Sequence, residues 1–371
     1  MDALNQLHKI GQSIWYDNIQ RRLLENGEMA QLIARGEIRG VTSNPSIFHN
    51  AISKSHDYDA DLKPMALSGK SAEEIFYQLA LEDIRAAADL FMPLYEQSKG
   101  ADGYVSVEVS PFLARDTQGT ITEAKRLWEL IDRPNLMVKI PATAQGIEAI
   151  KKSIAAGINI NVTLIFSLER YKQVMEAYLS GIEERIAHGL PIDSIASVAS
   201  FFVSRVDTNV DSQIQTLLKN EGQDADRAAQ LLGKAAIANA RLAYALFRQT
   251  FNTDRFIRLQ KQAARLQRPL WASTSTKNPA YRDVMYIEEL IGPDTVNTVP
   301  PQTLDAFRDH GCVEITLSDD ASDSTNIIER LESLGISMQR VTQQLEEEGV
   351  KAFSDAFTAL LKTISERSVA A

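Results

Sequence analysis

Residues 136–150 read LMVKIPATAQGIEAI. Leu136, Val138 and Ile140 alternate with Met137, Lys139 and Pro141, the period of two that a β-strand imposes on its side chains. From Thr143 the spacing changes, and TAQGIEAIKKSIAAG reads as a helix closed by Gly157. A strand that hands directly to a helix is the repeating unit of an α/β fold. Lys139 lies in the strand half with apolar flanks on both sides. Burying an ammonium costs several kcal/mol unless it is paired or loses its proton. A lysine in that setting can have its pKa lowered toward neutrality, and a neutral amine attacks carbonyl carbon. The plainer alternative is an edge-strand lysine whose head snorkels to water.

The same alternation extends outward in both directions. Upstream, SIWYDNIQ (13–20) precedes the helix-like run RRLLENGEMAQLIARG (21–36), which stops at Gly36. GVTSNPS (40–46) is a strand ending in a turn, and a polar-to-helical region fills 50–99. YVSVEVSP (104–111) sets Val105, Val107 and Val109 against Ser106, Glu108 and Ser110, and the helical TITEAKRLWELID (120–132) follows. Downstream come the strands INVTLIFS (160–167), SVASFFVSR (197–205), RPLWAST (268–274) and DTVNTVP (294–300). Helical stretches separate them at 168–188, about 207–265 and 281–292, and a last one follows at 303–311. Strands separated by helices pair in parallel, because parallel neighbours need a long crossover. Eight such units predict a (β/α)8 TIM barrel with inserted and C-terminal extra helices, whose minimal form takes about 250 residues. We expect one domain over 1–371, with the barrel at about 10–310 and a helical extension at about 318–371 that packs over one end. The competing architecture, an open doubly wound sheet, calls for a GxGxxG turn after an early strand, and none is present.

Composition narrows the function. Of 371 residues, 44% are hydrophobic and 24% charged, the profile of a globular chain with a large core. A net charge of −10 argues against non-specific nucleic-acid binding, while leaving room for a local basic pocket. Cys312 is the single cysteine, which excludes an intrachain disulfide and fits a reducing compartment. The chain opens on Met1-Asp2-Ala3 without a signal-peptide pattern, and no apolar run approaches the roughly 18 residues that span a membrane. We therefore expect a cytoplasmic protein. His8, His49, His56, His188 and His310 show neither HxH nor HExxH spacing, so no metal site is expected.

In a barrel covered by helices, one strand face meets the helices and the other points inside. Alternation turns Asp17, Thr42, Asn44, Ser106, Glu108, Ser110, Lys139, Asn161, Thr163 and Ser200 inward. A purely structural barrel fills that space with branched aliphatic side chains. Several residues have plain alternatives: Asp17 as a helix cap, Asn44 as the start of a turn before Pro45, Asn161 and Thr163 as hydrogen-bonding layers. Glu108, a carboxylate among valines, demands a partner or a function. Together the set permits definite chemistry. A neutral lysine attacks a ketone to give a carbinolamine that dehydrates to a Schiff base. Two carboxylates move the protons, and amides and hydroxyls hold a polyhydroxylated substrate. A Schiff-base enzyme acting on a sugar is the reading from the residues.

VTSNPS, VSVEVSP, LMVKIPAT, INVTLIFS, FFVSRVD and WASTSTKNP, in this order, resemble transaldolase. The likeness runs from about residue 10 to 310. It is nearest to a bacterial branch with longer chains, sometimes fused to a glucose-6-phosphate isomerase; no such second enzyme is expected after the tail here. The resemblance implies transfer of a dihydroxyacetone unit from fructose 6-phosphate or sedoheptulose 7-phosphate to an aldose phosphate, in the pentose phosphate pathway, without metal or organic cofactor. It implies Lys139 as the Schiff-base lysine and Asp17 as the group that takes the proton during C–C cleavage and returns it. Glu108 and Thr163 match the pair that positions a water for carbinolamine formation and dehydration. Asn44 and Asn161 match amides that hold substrate hydroxyls, with Thr42 behind them. Ser200 and Arg205 match phosphate ligands, and an arginine fork suits phosphate.

Two departures stand out. Other branches carry SPF where this chain has Ser200-Phe201-Phe202, and an arginine where it has Lys277, which binds phosphate as a point charge. The nearest rival is a fructose-6-phosphate aldolase-like lyase that releases free dihydroxyacetone. Those enzymes have glutamine where Glu108 stands and tyrosine near Phe202, which favours a transferase here. A non-catalytic sugar-phosphate-binding barrel is the other alternative, and it would not need a desolvated lysine. The expected partners are sugar phosphates, with neither nucleic acid nor membrane; monomer and homodimer stay open.

Overall fold

The computed structural model describes residues 3–219 and 224–369. Its strands are β1 Gln12–Tyr16, β2 Gly40–Val41, β3 Tyr104–Glu108, β4 Leu136–Pro141, β5 Ile160–Ile165, β6 Ser197–Phe202, β7 Gln267–Ala272 and β8 Thr295–Val299. All eight pair in parallel and in chain order, and β8 returns to β1, so the sheet closes into a (β/α)8 barrel. The outer faces of the strands are buried under the helices, as the alternation requires: Leu136, Val138 and Ile140 on β4 and Ile160 and Val162 on β5 are aliphatic, while β6 presents Ala199 and Phe201 and β7 presents Trp271.

The barrel is filled below and polar above. At its N-terminal end Arg268 donates to Ser13 Oγ (2.7 Å) and to the Thr295 carbonyl (2.6 Å), and pairs with Asp102, which Arg39 also holds at 2.6 Å. Above this plug lies the indole of Trp15. A Cβ at Gly40 would sit 2.7 Å from that ring, so a side chain on β2 here would collide with it. Beyond Trp15 the interior changes to carboxylates, hydroxyls and amides at the C-terminal ends of the strands, the face on which sites of this fold are built.

Several helical stretches are more broken than their spacing predicts. The run 21–36 splits into Arg21–Glu25 and Glu28–Ala34, because Gly27 takes a left-handed φ of 82° between them. Region 50–99 resolves into Pro45–Ser53, Asp59–Leu67 and Ala72–Gln97, the last begun by a reciprocal Ser71–Glu74 capping box. Within 207–265 the described residues form helices Ser204–Lys219, Ala225–Ala229, Ala235–Phe251 and Asp254–Gln260; residues 220–223 lie outside the described set. In 281–292 only Met285–Glu288 is helical. Residues 318–369 give Ser322–Ser333 and the long helix Met338–Val369, separated at Gly335 (φ 80°). That long helix lies over the C-terminal mouth, against helices Pro45–Ser53, Ala72–Gln97 and Ser204–Lys219 and the end of β5. Among the described residues no helix is long and apolar enough to cross a membrane.

Candidate active site

Register in a parallel barrel sets neighbours side by side, and here it aligns Glu108 of β3 with Lys139 of β4 and Lys139 with Asn161 of β5. All three therefore face the interior on neighbouring strands. Lys139 is buried; its Nζ donates to the Ser43 carbonyl at 2.9 Å and lies 3.7 Å from Glu108 Oε2, an ion-pair distance. Burial pushes the Glu108 carboxyl up to about 7, against the pull of Lys139 and with the charge of Asp17 adding to the rise. Glu108 Oε2 and Thr163 Oγ1 are both buried and, among the described residues, without a hydrogen-bond partner. Such atoms are costly unless something hydrogen-bonds them.

Asp17 follows β1 directly. It accepts a hydrogen bond from Thr42 Oγ1 at 2.6 Å, and Thr42 in turn meets Thr298 Oγ1 at 2.5 Å. Burial raises the Asp17 pKa, opposed by the Thr42 hydrogen bond and by the charges of Lys139 and Lys277. Asp17 does not cap the next helix, which starts at Arg21 with Gln20 in the cap position. Asn44 does cap: its Oδ1 accepts from Ile47 N at 3.0 Å and begins helix Pro45–Ser53.

These groups surround a cavity of about 210 Å³ that Asp17, Thr42, Asn44, Lys139, Thr163 and Ser200 line on the strand side. Phe202, Arg205 and Lys277 form its far wall. Arg205 leans over the Phe202 ring at 5.3 Å, and Lys277 Nζ donates to Ser275 Oγ at 2.7 Å. Among the described residues neither cation has a carboxylate within 4.0 Å. Burial and the neighbouring Arg205 lower the Lys277 pKa, and burial lowers that of Arg205. A partly buried Arg205 and an exposed Lys277 on one cavity wall, neither ion-paired among the described residues, suit a bound anion.

Two of the residues chosen from sequence stand off this cavity. Glu108 borders a separate space of about 20 Å³ walled by Phe48, Phe76 and Phe357. Asn161 is fully buried one step below, donating to Ser106 Oγ (3.1 Å) and accepting from Ser200 Oγ (2.7 Å). Ala272, Ser273, Ser275 and Pro300 also line the cavity without standing out in the sequence, and three further contributors bear on the site. Thr298 obeys the alternation used on the other strands and was within reach of it. The Ser43 carbonyl and Phe353, which also lines the cavity, carry no strand signal. Size does not mark the site either: concavities of about 730 and 490 Å³ lie on the flank and at the barrel's N-terminal end.

Fold and site together define a (β/α)8 enzyme barrel with a buried lysine and two carboxylates at its mouth. The chain belongs to the transaldolase/fructose-6-phosphate aldolase family, whose model matches residues 14–364. It is 46% identical over 368 residues to a transaldolase of Trichodesmium erythraeum, covering 98% of this chain and 97% of that one. It is 48% identical over 365 residues to transaldolase 2 of Streptomyces coelicolor (98% and 96%) and 45% identical over 361 residues to a transaldolase of Mycobacterium bovis (97% and 95%).

Proposed function

We propose that this chain is a transaldolase of the non-oxidative pentose phosphate pathway. It takes a dihydroxyacetone unit from sedoheptulose 7-phosphate or fructose 6-phosphate and delivers it to glyceraldehyde 3-phosphate or erythrose 4-phosphate. The observation that carries this reading is the buried Lys139–Glu108 pair, with Nζ 3.7 Å from a carboxyl that burial has pushed up to about 7. A carboxyl with a pKa near neutrality is suited to exchange protons with the attacking nitrogen and the leaving water at neutral pH.

Lys139 Nζ adds to the ketose carbonyl, and Glu108 with Thr163 exchanges protons as the carbinolamine loses water to the Schiff base. Asp17, whose pKa burial raises, takes the proton of the hydroxyl beside the scissile bond. The C–C bond breaks, the aldose phosphate leaves, and Lys139 keeps the three-carbon fragment as an enamine. An incoming aldehyde is attacked by that enamine and receives the proton back from Asp17. Hydrolysis then frees the new ketose phosphate. Arg205, Ser200 and Lys277 hold the phosphate, while Asn44 and Thr42 meet or support the sugar hydroxyls. No step in this sequence requires a metal or organic cofactor.

Borohydride reduction with fructose 6-phosphate tests the scheme. A stable adduct mapped to Lys139, absent from Lys139→Ala, is expected together with formation of sedoheptulose 7-phosphate that depends on erythrose 4-phosphate. An unmodified wild-type protein refutes the Schiff base, and rapid catalytic release of dihydroxyacetone without an acceptor makes the enzyme a lyase.

A further inference from the structure

The extension beyond the barrel reaches the reaction cavity at one point. Phe353, in the middle of helix Met338–Val369, is only 7% exposed and shares the cavity with Asp17, Lys139, Arg205 and Lys277. Most of the wall is polar and suited to a sugar phosphate; a phenyl ring offers that ligand no hydrogen bond. Its value lies in the volume it closes. We propose that Phe353 shields the fragment bound to Lys139 from water, and so sets how often the fragment is transferred rather than released. This rests on the transaldolase reading above.

The ring is held in place from both sides. One turn before it, Gly349 lets the helix approach β5: a Cβ there would lie 3.0 Å from Leu164 Cδ2. Leu164 is itself in the left-handed region (φ 58°), beside Thr163, where the β5–β6 register shifts. One turn after it, Phe357 packs edge-on against Phe76 (5.3 Å) and Phe112 (5.5 Å) and walls the small space beside Glu108. Residues 349, 353 and 357 fall on one helix face, so both contacts orient the ring between them. Glu346 also pairs with Arg170 at 3.3 Å, fixing the turn that leads in.

The chemistry makes such a shield matter. Between donor release and acceptor arrival the fragment waits on Lys139 as an enamine in equilibrium with its imine. If water adds across the C=N bond and the C–N bond then breaks, Lys139 regains its amine and dihydroxyacetone leaves. Replacing the ring by a methyl opens room for several waters, each about 30 Å³ in the liquid, above the lysine. Exclusion of water from a reactive intermediate is a recognised task of closed sites.

The test uses the full chain with fructose 6-phosphate and erythrose 4-phosphate, measuring sedoheptulose 7-phosphate and free dihydroxyacetone in the same reaction. Phe353→Ala is expected to raise the ratio of released to transferred fragment about tenfold or more, with borohydride trapping at Lys139 retained. Phe353→Leu, which removes less volume and keeps the helix packed, is expected to raise it by an intermediate factor. A merely structural role would lower both products together and leave the ratio unchanged, and that result in either folded variant overturns the proposal. A wild-type protein that transfers nothing refutes the transaldolase reading instead, and the proposal with it.

Discussion

Glu108 and Lys139 lie 3.7 Å apart, and in the proposed scheme the carboxyl exchanges protons with the lysine nitrogen, so the burial that sets its proton affinity sets the working pH. The Glu108 carboxyl is pushed up to about 7, so near neutral pH it is poised to serve as a general base and acid beside Lys139. As pH falls below about 7 the Glu108 carboxyl is protonated and, in the proposed scheme, can no longer take a proton from the attacking nitrogen. Single-turnover adduct formation is therefore expected to decline about tenfold per unit below pH 7. In Glu108→Gln this limb should vanish while the remaining rate is lower throughout; an unchanged limb assigns it to another group. Asp17 acts later. Asp17→Ala is expected to form the borohydride adduct yet turn over about 10² times more slowly, and undiminished turnover would remove it from proton transfer. Alternation alone turned Lys139, Glu108, Asp17 and Thr163 toward the barrel axis, since side-chain direction in a strand depends on parity. The raised pKa of Glu108 depends on Phe48, Phe76 and Phe357, drawn from three separate helices, and no local pattern shows that.

At the scale of elements, the phosphate end of the cavity is tied together by two tyrosine–aspartate hydrogen bonds. Asp207 and Asp211 sit one turn apart on helix Ser204–Lys219, which begins beside Arg205. Tyr286 Oη donates to Asp207 at 2.8 Å, and Tyr281 Oη donates to Asp211 at 2.6 Å. Tyr281 follows Lys277 by four residues, so the second bond connects the Lys277 segment to the helix that carries Arg205. Tyr281→Phe should therefore raise KM for the phosphorylated substrate several-fold with kcat nearly unchanged; equal loss in both would show that the bond serves the chemistry. Strand β2 makes a different demand. Gly40→Ala would push a methyl into the Trp15 indole, and overpacking of this kind costs about 1–3 kcal/mol. Denaturation followed by tryptophan fluorescence should show that loss, and a wild-type midpoint would mean that the ring relocates freely. The order of strands was readable because each has clean alternation followed by a long polar-to-helical stretch. The break at Gly27 and the mostly irregular 281–292 were not: apolar spacing there still fits a helix, and the actual path follows from long-range anchors such as the Tyr281–Asp211 bond.

For the molecule as a whole, the barrel end that bears the chemistry is completed by residues from the far end of the chain. The long helix Met338–Val369 is fastened near its C-terminus by Arg367, which donates to the Ile52 and Ser55 carbonyls and pairs with Asp59. His49 meets Thr363 Oγ1 at 3.2 Å on the same side. Helical apolar spacing showed from sequence that residues 318–371 pack somewhere. It did not show which barrel end they cover, because the anchors lie some 300 residues away, in the β2–β3 connection. Arg367→Ala removes those anchors from one side chain. The ion pair is partly open to solvent, so the loss is on the order of 1–2 kcal/mol and local rather than global. Hydrogen exchange should then accelerate across 353–369 and in helix Pro45–Ser53, while the strands of the barrel keep wild-type protection. A ligand that binds only the closed mouth favours the fastened helix, so a saturating sugar phosphate should restore part of that protection. Uniform acceleration in all strands would mean that the extension and the barrel unfold as one unit. Unchanged exchange at 353–369 would mean that the apolar face around Phe357 holds the helix without Arg367.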